Sequence, residues 1–203
     1  MAITNGYATL AEVKAAARIT DSVDDALLEI AIESASRAID GHTHRNFTVA
    51  GTAATARVFT ATNSDFVWVD DVASTTGLVV KTADNLDANF ATTWVTADYQ
   101  LEPLNGVSEG ISWPYTRIRS TGNKGFPYGS DLAGVQVTAR WGWLTVPTAI
   151  KQACIILAGR QFKRYDSPLG VAGFGDLGAM RVSRVDPDVA TLIEPYVLTR
   201  YLV

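Results

Sequence analysis

Val146-Pro147-Thr148-Ala149-Ile150-Lys151-Gln152-Ala153, read on through Phe162, decides the fold, because from here the apolar residues return at helical spacing. Ile150, Ala153, Cys154, Leu157 and Phe162 form one stripe, while Lys151, Gln152, Arg160, Lys163 and Arg164 fall mostly off it. Proline suits the first helical position, where its missing N–H would have had no partner. Lys163 and Arg164 sit in the last turn, where the macrodipole favours positive charge, and Asp166-Ser167-Pro168 stops the helix. The spacing predicts a helix over 147–165 with one packed and one solvated face.

Working outward, Gly170, Gly173, Gly175 and Gly178 follow, and Gly173-Phe174-Gly175-Asp176-Leu177-Gly178 has the glycine spacing of a dinucleotide-binding fingerprint. That fingerprint needs a strand before it and a helix opening at its third glycine. Here a helix precedes it, and Met180-Arg181-Val182-Ser183-Arg184-Val185 alternates like an extended segment. The glycines therefore read as a loop that orders against a neighbour. Asp186-Pro187-Asp188 then caps a short helix through Val189, Leu192, Ile193 and Tyr196. The tail from Tyr196 to Val203, rich in aromatic and aliphatic residues, docks either on its own chain or on a partner.

Toward the N-terminus, Thr9-Leu10-Ala11-Glu12 is a capping box that opens a short helix through Val13, Ala16 and Ala17. A second box, Ser22-Val23-Asp24-Asp25, opens a longer helix whose stripe is Val23, Leu27, Ile30, Ala31, Ala35, Ala38 and Ile39, with Gly41 as its C-terminal cap. Its alanines permit close approach to the 147–165 helix. From about 55 to 143 the period becomes alternating, and Thr, Val, Trp and Tyr are enriched. The expected strands are Arg57–Ala61, Phe66–Val69, Leu78–Thr82, Thr92–Tyr99, Thr116–Ser120 and Val135–Trp141. The fold class is α+β: a bundle of N- and C-terminal helices with an inserted antiparallel β-sandwich or open barrel. Residues 1–48, 49–145 and 146–203 are its three parts, sharing one compact unit.

Composition narrows the function. The chain has 203 residues and a net charge of −4, with one cysteine and 47% hydrophobic residues. Such a chain buries a real core, and its apolar runs fall short of the roughly 18–20 residues a membrane span requires. Cys154 lies on a packed helix face, which suits a reducing cytoplasm. Residues 1–140 hold ten Lys or Arg against sixteen Asp or Glu, whereas 141–184 hold six against two. Acidic overall balance argues against gripping nucleic acid through phosphates, and the basic C-terminal portion would meet acidic neighbours well. His42 and His44 lack the further ligands of a zinc set, and Asp70-Asp71 and Asp24-Asp25 are not placed to work on one bond. No catalytic constellation, metal site or cofactor is expected. Trp94, Trp113, Trp141 and Trp143 lie in or beside strands, where they serve either core and subunit contacts or a surface platform for glycans or single-stranded nucleic acid.

Three stretches, taken in order, resemble the head-tail connector proteins of tailed bacteriophages, also called head-completion or adaptor proteins. They are Tyr7 to Lys14, the acidic cap and helix Asp24 to Asp40, and Val146 to Ala153, joined by Asp186-Pro187-Asp188-Val189 with Pro195-Tyr196. The resemblance implies a structural virion protein, made in the host cytoplasm, that forms a ring beneath the portal. The ring, commonly a dodecamer, extends a DNA channel without sequence-specific binding and offers its far side to a downstream neck or tail-completion protein. On this resemblance Tyr196, Leu198, Tyr201 and Leu202 would anchor the portal contact, with Arg181 and Arg184 aiding ring or portal pairing. The alternative, resting on exposed tryptophans, is a β-rich carbohydrate or host-surface binding module of a phage tail.

Overall fold

The computed structural model describes residues 3–84, 89–108, 110–129, 132–164, 171–172, 180–181 and 186–198. Helix α1 spans Leu10–Ala17 and α2 spans Asp25–Thr43. The strands β1 (Thr55–Phe59), β2 (Phe66–Thr82), β3 (Thr92–Trp94), β4 (Tyr99–Glu102), β5 (Val107–Ser108), β6 (Ile111–Ser112), β7 (Tyr115–Ser120) and β8 (Val135–Trp141) follow. Helix α3 is Thr148–Lys163, β9 and β10 are Val171–Ala172 and Met180–Arg181, and α4 is Pro187–Ile193. Residues 1–45 with 146–203 form one compact unit and residues 46–145 a second.

In the helical unit the first capping box is built as the sequence demands. Thr9 Oγ1 accepts the Glu12 N–H at 3.2 Å, and Glu12 Oε2 accepts the Thr9 N–H at 2.8 Å. Three expectations for α2 are corrected. Asp24 rather than Ser22 is its N-cap, and the Asp24 side chain makes no capping hydrogen bond. The helix runs past Gly41 to Thr43, and His44 takes the left-handed capping position at φ 55°. Its buried face is Leu28, Ala31, Ile32, Ala35, Ser36, Ile39 and Thr43, leaving Val23, Leu27 and Ile30 exposed at 85%, 37% and 45%. The rotation includes two hydroxyls that a hydropathy pattern counts as polar. Ser36 and Thr43 bond the carbonyls of Ile32 and Ile39 one turn back, each at 2.8 Å, and so enter the core without unmet donors. Helix α3 buries Ile150, Ala153 and Cys154 of its expected stripe together with Ala158, while Leu157 and Phe162 are half-buried, and Pro147 is its N-cap rather than its first residue. Ser36 Oγ and Cys154 Sγ meet at 3.4 Å where α2 and α3 face each other, and burial raises the Cys154 thiol pKa.

The second unit is a six-stranded antiparallel sheet in the order β1-β8-β2-β7-β4, with β3 also on β2. Its path is open, with six strands hydrogen-bonded into one sheet. β5 and β6 pair as a separate hairpin. Two of the expected strands are one: β2 runs 17 residues, pairing β7 through its first half and β8 through its second. Register shifts mark bulges on either side of Ser74, and Gly77 within them has φ +75°. The expected strand Thr92–Tyr99 instead breaks into β3, a 3-10 turn over Thr96–Asp98, and β4. Val67, Val69, Val80, Ile118, Val135, Val137 and Trp141 form the core on one face.

Two indoles finish that unit. Trp94 stacks on Phe126 at 4.4 Å between ring centroids, and Trp143 packs on Phe47 at 5.2 Å while donating its Nε1–H to buried Asp71 at 2.9 Å. Between Trp141 and Trp143, Gly142 (φ +107°) donates its N–H to the Asp71 carbonyl at 2.7 Å. A side chain at Gly142 would stand 2.0 Å from the Thr48 carbonyl oxygen, so only glycine fits the turn.

Candidate functional site

The helical unit is tied together by ion pairs between its helices. Lys151 of α3 reaches Glu12 of α1 at 2.9 Å, and Lys14 of α1 reaches Asp25 of α2 at 2.5 Å. The Lys151 hydrogen bond, followed by those of the Thr9 backbone and hydroxyl, holds the Glu12 carboxyl down at about 2. The segment before α1 lies along α2: Glu33 Oε1 accepts the N–H groups of Thr4 and Asn5, Ser36 Oγ accepts that of Tyr7, and the Tyr7 hydroxyl donates to Asp40. Burial outweighs the Tyr7 and Arg37 contacts and raises the Asp40 pKa.

The C-terminal segment closes on the same unit. Asp186 caps α4 by accepting the N–H groups of Asp188 and Val189, with Pro187 in the first turn as expected, and it pairs with Arg160 of α3 at 2.6 Å. Desolvation pushes the Asp186 carboxyl up, but those N–H groups and Arg160 outweigh it and hold it below its ordinary value. After α4 the Tyr196 carbonyl accepts from Arg45 Nε at 2.7 Å, and the Leu198 N–H donates to the Thr43 carbonyl at 3.0 Å. Tyr196, expected as a docking residue, is 3% exposed. As far as Leu198 the tail therefore docks on its own chain.

Of the other expected contact residues, Leu198 is half-buried and Arg181 contributes backbone pairing in β10 opposite Val171. The Arg181 side chain, Arg184, Tyr201 and Leu202 lie outside the described residues, as does the 173–178 glycine motif. His42 is in the last turn of α2 and His44 at its cap. Among the described residues no three His, Cys, Asp or Glu side chains are grouped to hold a metal ion, and no helix is long and apolar enough to cross a membrane. Asp70 pairs with Arg57 at 2.7 Å on the surface while its neighbour Asp71 is buried, so the two carboxylates face apart.

The indoles mostly serve packing. Trp94, Trp141 and Trp143 are buried and Trp113 packs edge-on to Trp143. Trp68 is 43% exposed, but the Arg117 guanidinium lies 5.0 Å over its ring and also pairs with Glu102. Arg119 reaches the other oxygen of Glu102 at 2.8 Å, and the two arginines, Arg119 foremost, hold that carboxyl below its usual range.

Two surface features went unread in the sequence. One is the apolar tip and face Val23, Leu27 and Ile30, misassigned because α2 is rich in apolar residues on more than one side. The other is a cleft of about 220 Å³ with Leu157, Val189 and Ile193 on its wall and His42, Arg160 and Arg164 among its polar lining. Only the basic composition of the α3 end hinted at it.

Fold and surface together define an α+β chain whose helical unit is split in sequence by an antiparallel β unit. Residues 7–76 match the family model described as phage gp6-like head-tail connector protein, which bears out the resemblance drawn from α1 and α2. No curated protein matches the chain. Solved structures do, over 97% of this chain and 92% of theirs. One is from the neck of a native gene transfer agent particle computed with C12 symmetry (TM-score 0.55, 20% identity), and one from the neck of an empty particle computed with C6 symmetry (0.54, 21%). A third, from the virion of the native gene transfer agent particle, has a TM-score of 0.53 at 22% identity. The β portion, which the sequence resemblance reached poorly, is thus part of a shared fold.

Proposed function

We propose that this chain is a structural protein of the virion neck: a head-tail connector whose copies form a ring beneath the portal, continue the DNA channel, and present an attachment surface for the tail. The observation that carries the reading is likeness over nearly the whole chain to neck chains, added to the connector-family match over residues 7–76. The C12 symmetry of one such neck supports a dodecamer. The role is architectural rather than enzymatic. An acidic chain suits a conduit, because a wall that held passing phosphates would retard DNA.

Portal binding falls to residues beyond the self-docked part of the tail, Tyr201 and Leu202, assisted by Leu198 and by Arg181 and Arg184. Tyr196, expected among the anchors, is buried and is not assigned a direct contact. Cryo-electron microscopy of the neck of the source particle tests the function: a ring of this chain between portal and tail is expected, and its absence from the neck refutes the reading. Truncation after Leu198 keeps the Leu198–Thr43 hydrogen bond and should abolish co-purification with the portal; unchanged co-purification would remove the tail from the portal contact.

A further inference from the structure

We propose that the ring contact is head-to-tail within the helical layer: the acidic, apolar tip at the start of α2 seats in the α3–α4 cleft of a second copy. This deepens the ring reading and rests on it.

The tip is unusual for a folded surface. Val23 is the most exposed large apolar residue among those described, and Leu27 continues it one turn on. Asp21, Asp24 and Asp25 flank it in sequence, and of these Asp25 pairs with Lys14. Asp24 occupies the N-cap position without capping, and among the described residues its carboxylate has no ion pair. It is therefore available to a cation from outside. The cleft has the complementary character. Its wall of Leu157, Val189 and Ile193 can take a branched aliphatic side chain, and its rim carries Arg160 and Arg164. Arg160 is occupied by Asp186, whereas Arg164 makes no ion pair among the described residues, nor does the exposed Lys163 beside it. Two uncompensated carboxylates thus face two uncompensated cations across an apolar contact.

The tip cannot enter the cleft of its own chain, because α2 itself keeps the two features apart; a second copy supplies the matching tip. Tip and cleft lie at opposite ends of α2, with His42 in the cleft lining, and at about 1.5 Å per residue the helix separates them by roughly 25 Å. A patch at one end that fits a different patch at the other end is a heterologous contact, the kind that closes into a ring when the rotation between copies allows.

Cysteine pairing reads this directly, since native Cys154 is buried. Full-length Val23→Cys and Ala190→Cys proteins, mixed under mild oxidation, should give a disulfide-linked dimer that neither gives alone. The double variant should give a ladder of higher multimers, both as purified protein and in assembled particles. Arg164→Glu in the Ala190→Cys partner should reduce the mixed dimer at least about tenfold, since like-charge juxtaposition costs more than the ~1.4 kcal/mol that a factor of ten represents. Asp24→Arg in the Val23→Cys partner should restore it. Circular dichroism of each variant guards against simple unfolding. A neck ring containing the double variant without cross-links, the cleft being filled from within its own chain or by another protein, overturns this contact and leaves the connector reading standing. A neck without this chain removes the connector reading itself.

Discussion

Gly41→Ala separates two accounts of how α2 ends. If Gly41 were the left-handed cap suggested by its sequence position, alanine there would pay the steric cost of positive φ, about 1 kcal/mol or more. In the structure the helix continues to Thr43, His44 holds the left-handed position, and a Cβ at Gly41 meets nothing within 4 Å. Glycine then only weakens the helix. An alanine in a helix interior gains about 0.8–1 kcal/mol over glycine, and this close to a fraying end about half of that is realised, near 0.5 kcal/mol. In a unit of roughly a hundred residues, where each kcal/mol moves Tm by about 4–8 °C, the variant should melt about 2–4 °C higher. His44→Gly should also stabilise, by up to about 1 kcal/mol, because glycine adopts the φ of 55° without penalty. Thermal and urea unfolding followed by far-ultraviolet circular dichroism measure both. A Gly41→Ala protein less stable by 1 kcal/mol or more would refute the helix end described here.

Gly142→Ala should destabilise the β unit by about 3 kcal/mol or more, combining strain at φ +107° with a clash against the Thr48 carbonyl; an unchanged urea midpoint would mean that the loop moves aside freely. Trp143→Phe removes the indole donor to buried Asp71 and should cost about 1–3 kcal/mol, whereas a loss under about 0.5 kcal/mol would show that other partners satisfy this carboxylate. Glu12, lowered from 4.5 to about 2 on folding, contributes stability that is fully present above about pH 4.5 and is lost as pH falls through 2. Its side chain is 36% exposed, so solvent screening reduces the contribution to about 1 kcal/mol. Glu12→Gln should therefore be less stable than the parent at pH 6 and nearly equal to it at pH 2, and an equal deficit at both pH values would contradict the assignment. Asp40, whose pKa is raised, acts in the opposite sense, its contribution being lost as pH rises.

Local chemistry was legible wherever a short motif determines its own geometry. The Thr9–Glu12 box, the Asp186-Pro187 cap, the first half of the α3 stripe and strand β8 all form within a few residues of their signals. What escaped depended on distant partners. The phase of α2 could not be chosen from a sequence in which Leu27 and Leu28, or Ile30 and Ile32, offer competing faces. Tertiary packing decided it: Ser36 meets Cys154 of α3, and Thr43 receives the returning Leu198 segment. The continuity of β2 was hidden by Asp70-Asp71 and Gly77, residues that usually break strands but here accompany bulges where the strand exchanges β7 for β8. Tyr196 looked like an exposed anchor because nothing local shows that Arg45 and Thr43, more than a hundred residues earlier, receive that segment. The cleft escaped for the same reason, since α3 and α4 are joined by a long segment whose ends alone reveal that the helices meet.

The split helical unit sets an order of events on the ribosome. Leu28, Ile32 and Ile39 of α2 are synthesised with no α3 to cover them, because residues 46–145 come first. At about 5–20 residues per second, α2 waits on the order of 5–20 s for its partner. All strands of the six-stranded sheet, by contrast, emerge within one uninterrupted stretch that can fold while α2 is still uncovered. A nascent chain whose sheet folds at that point still carries an uncovered amphipathic helix, and premature contact between such helices on neighbouring ribosomes is the hazard that this gene order imposes.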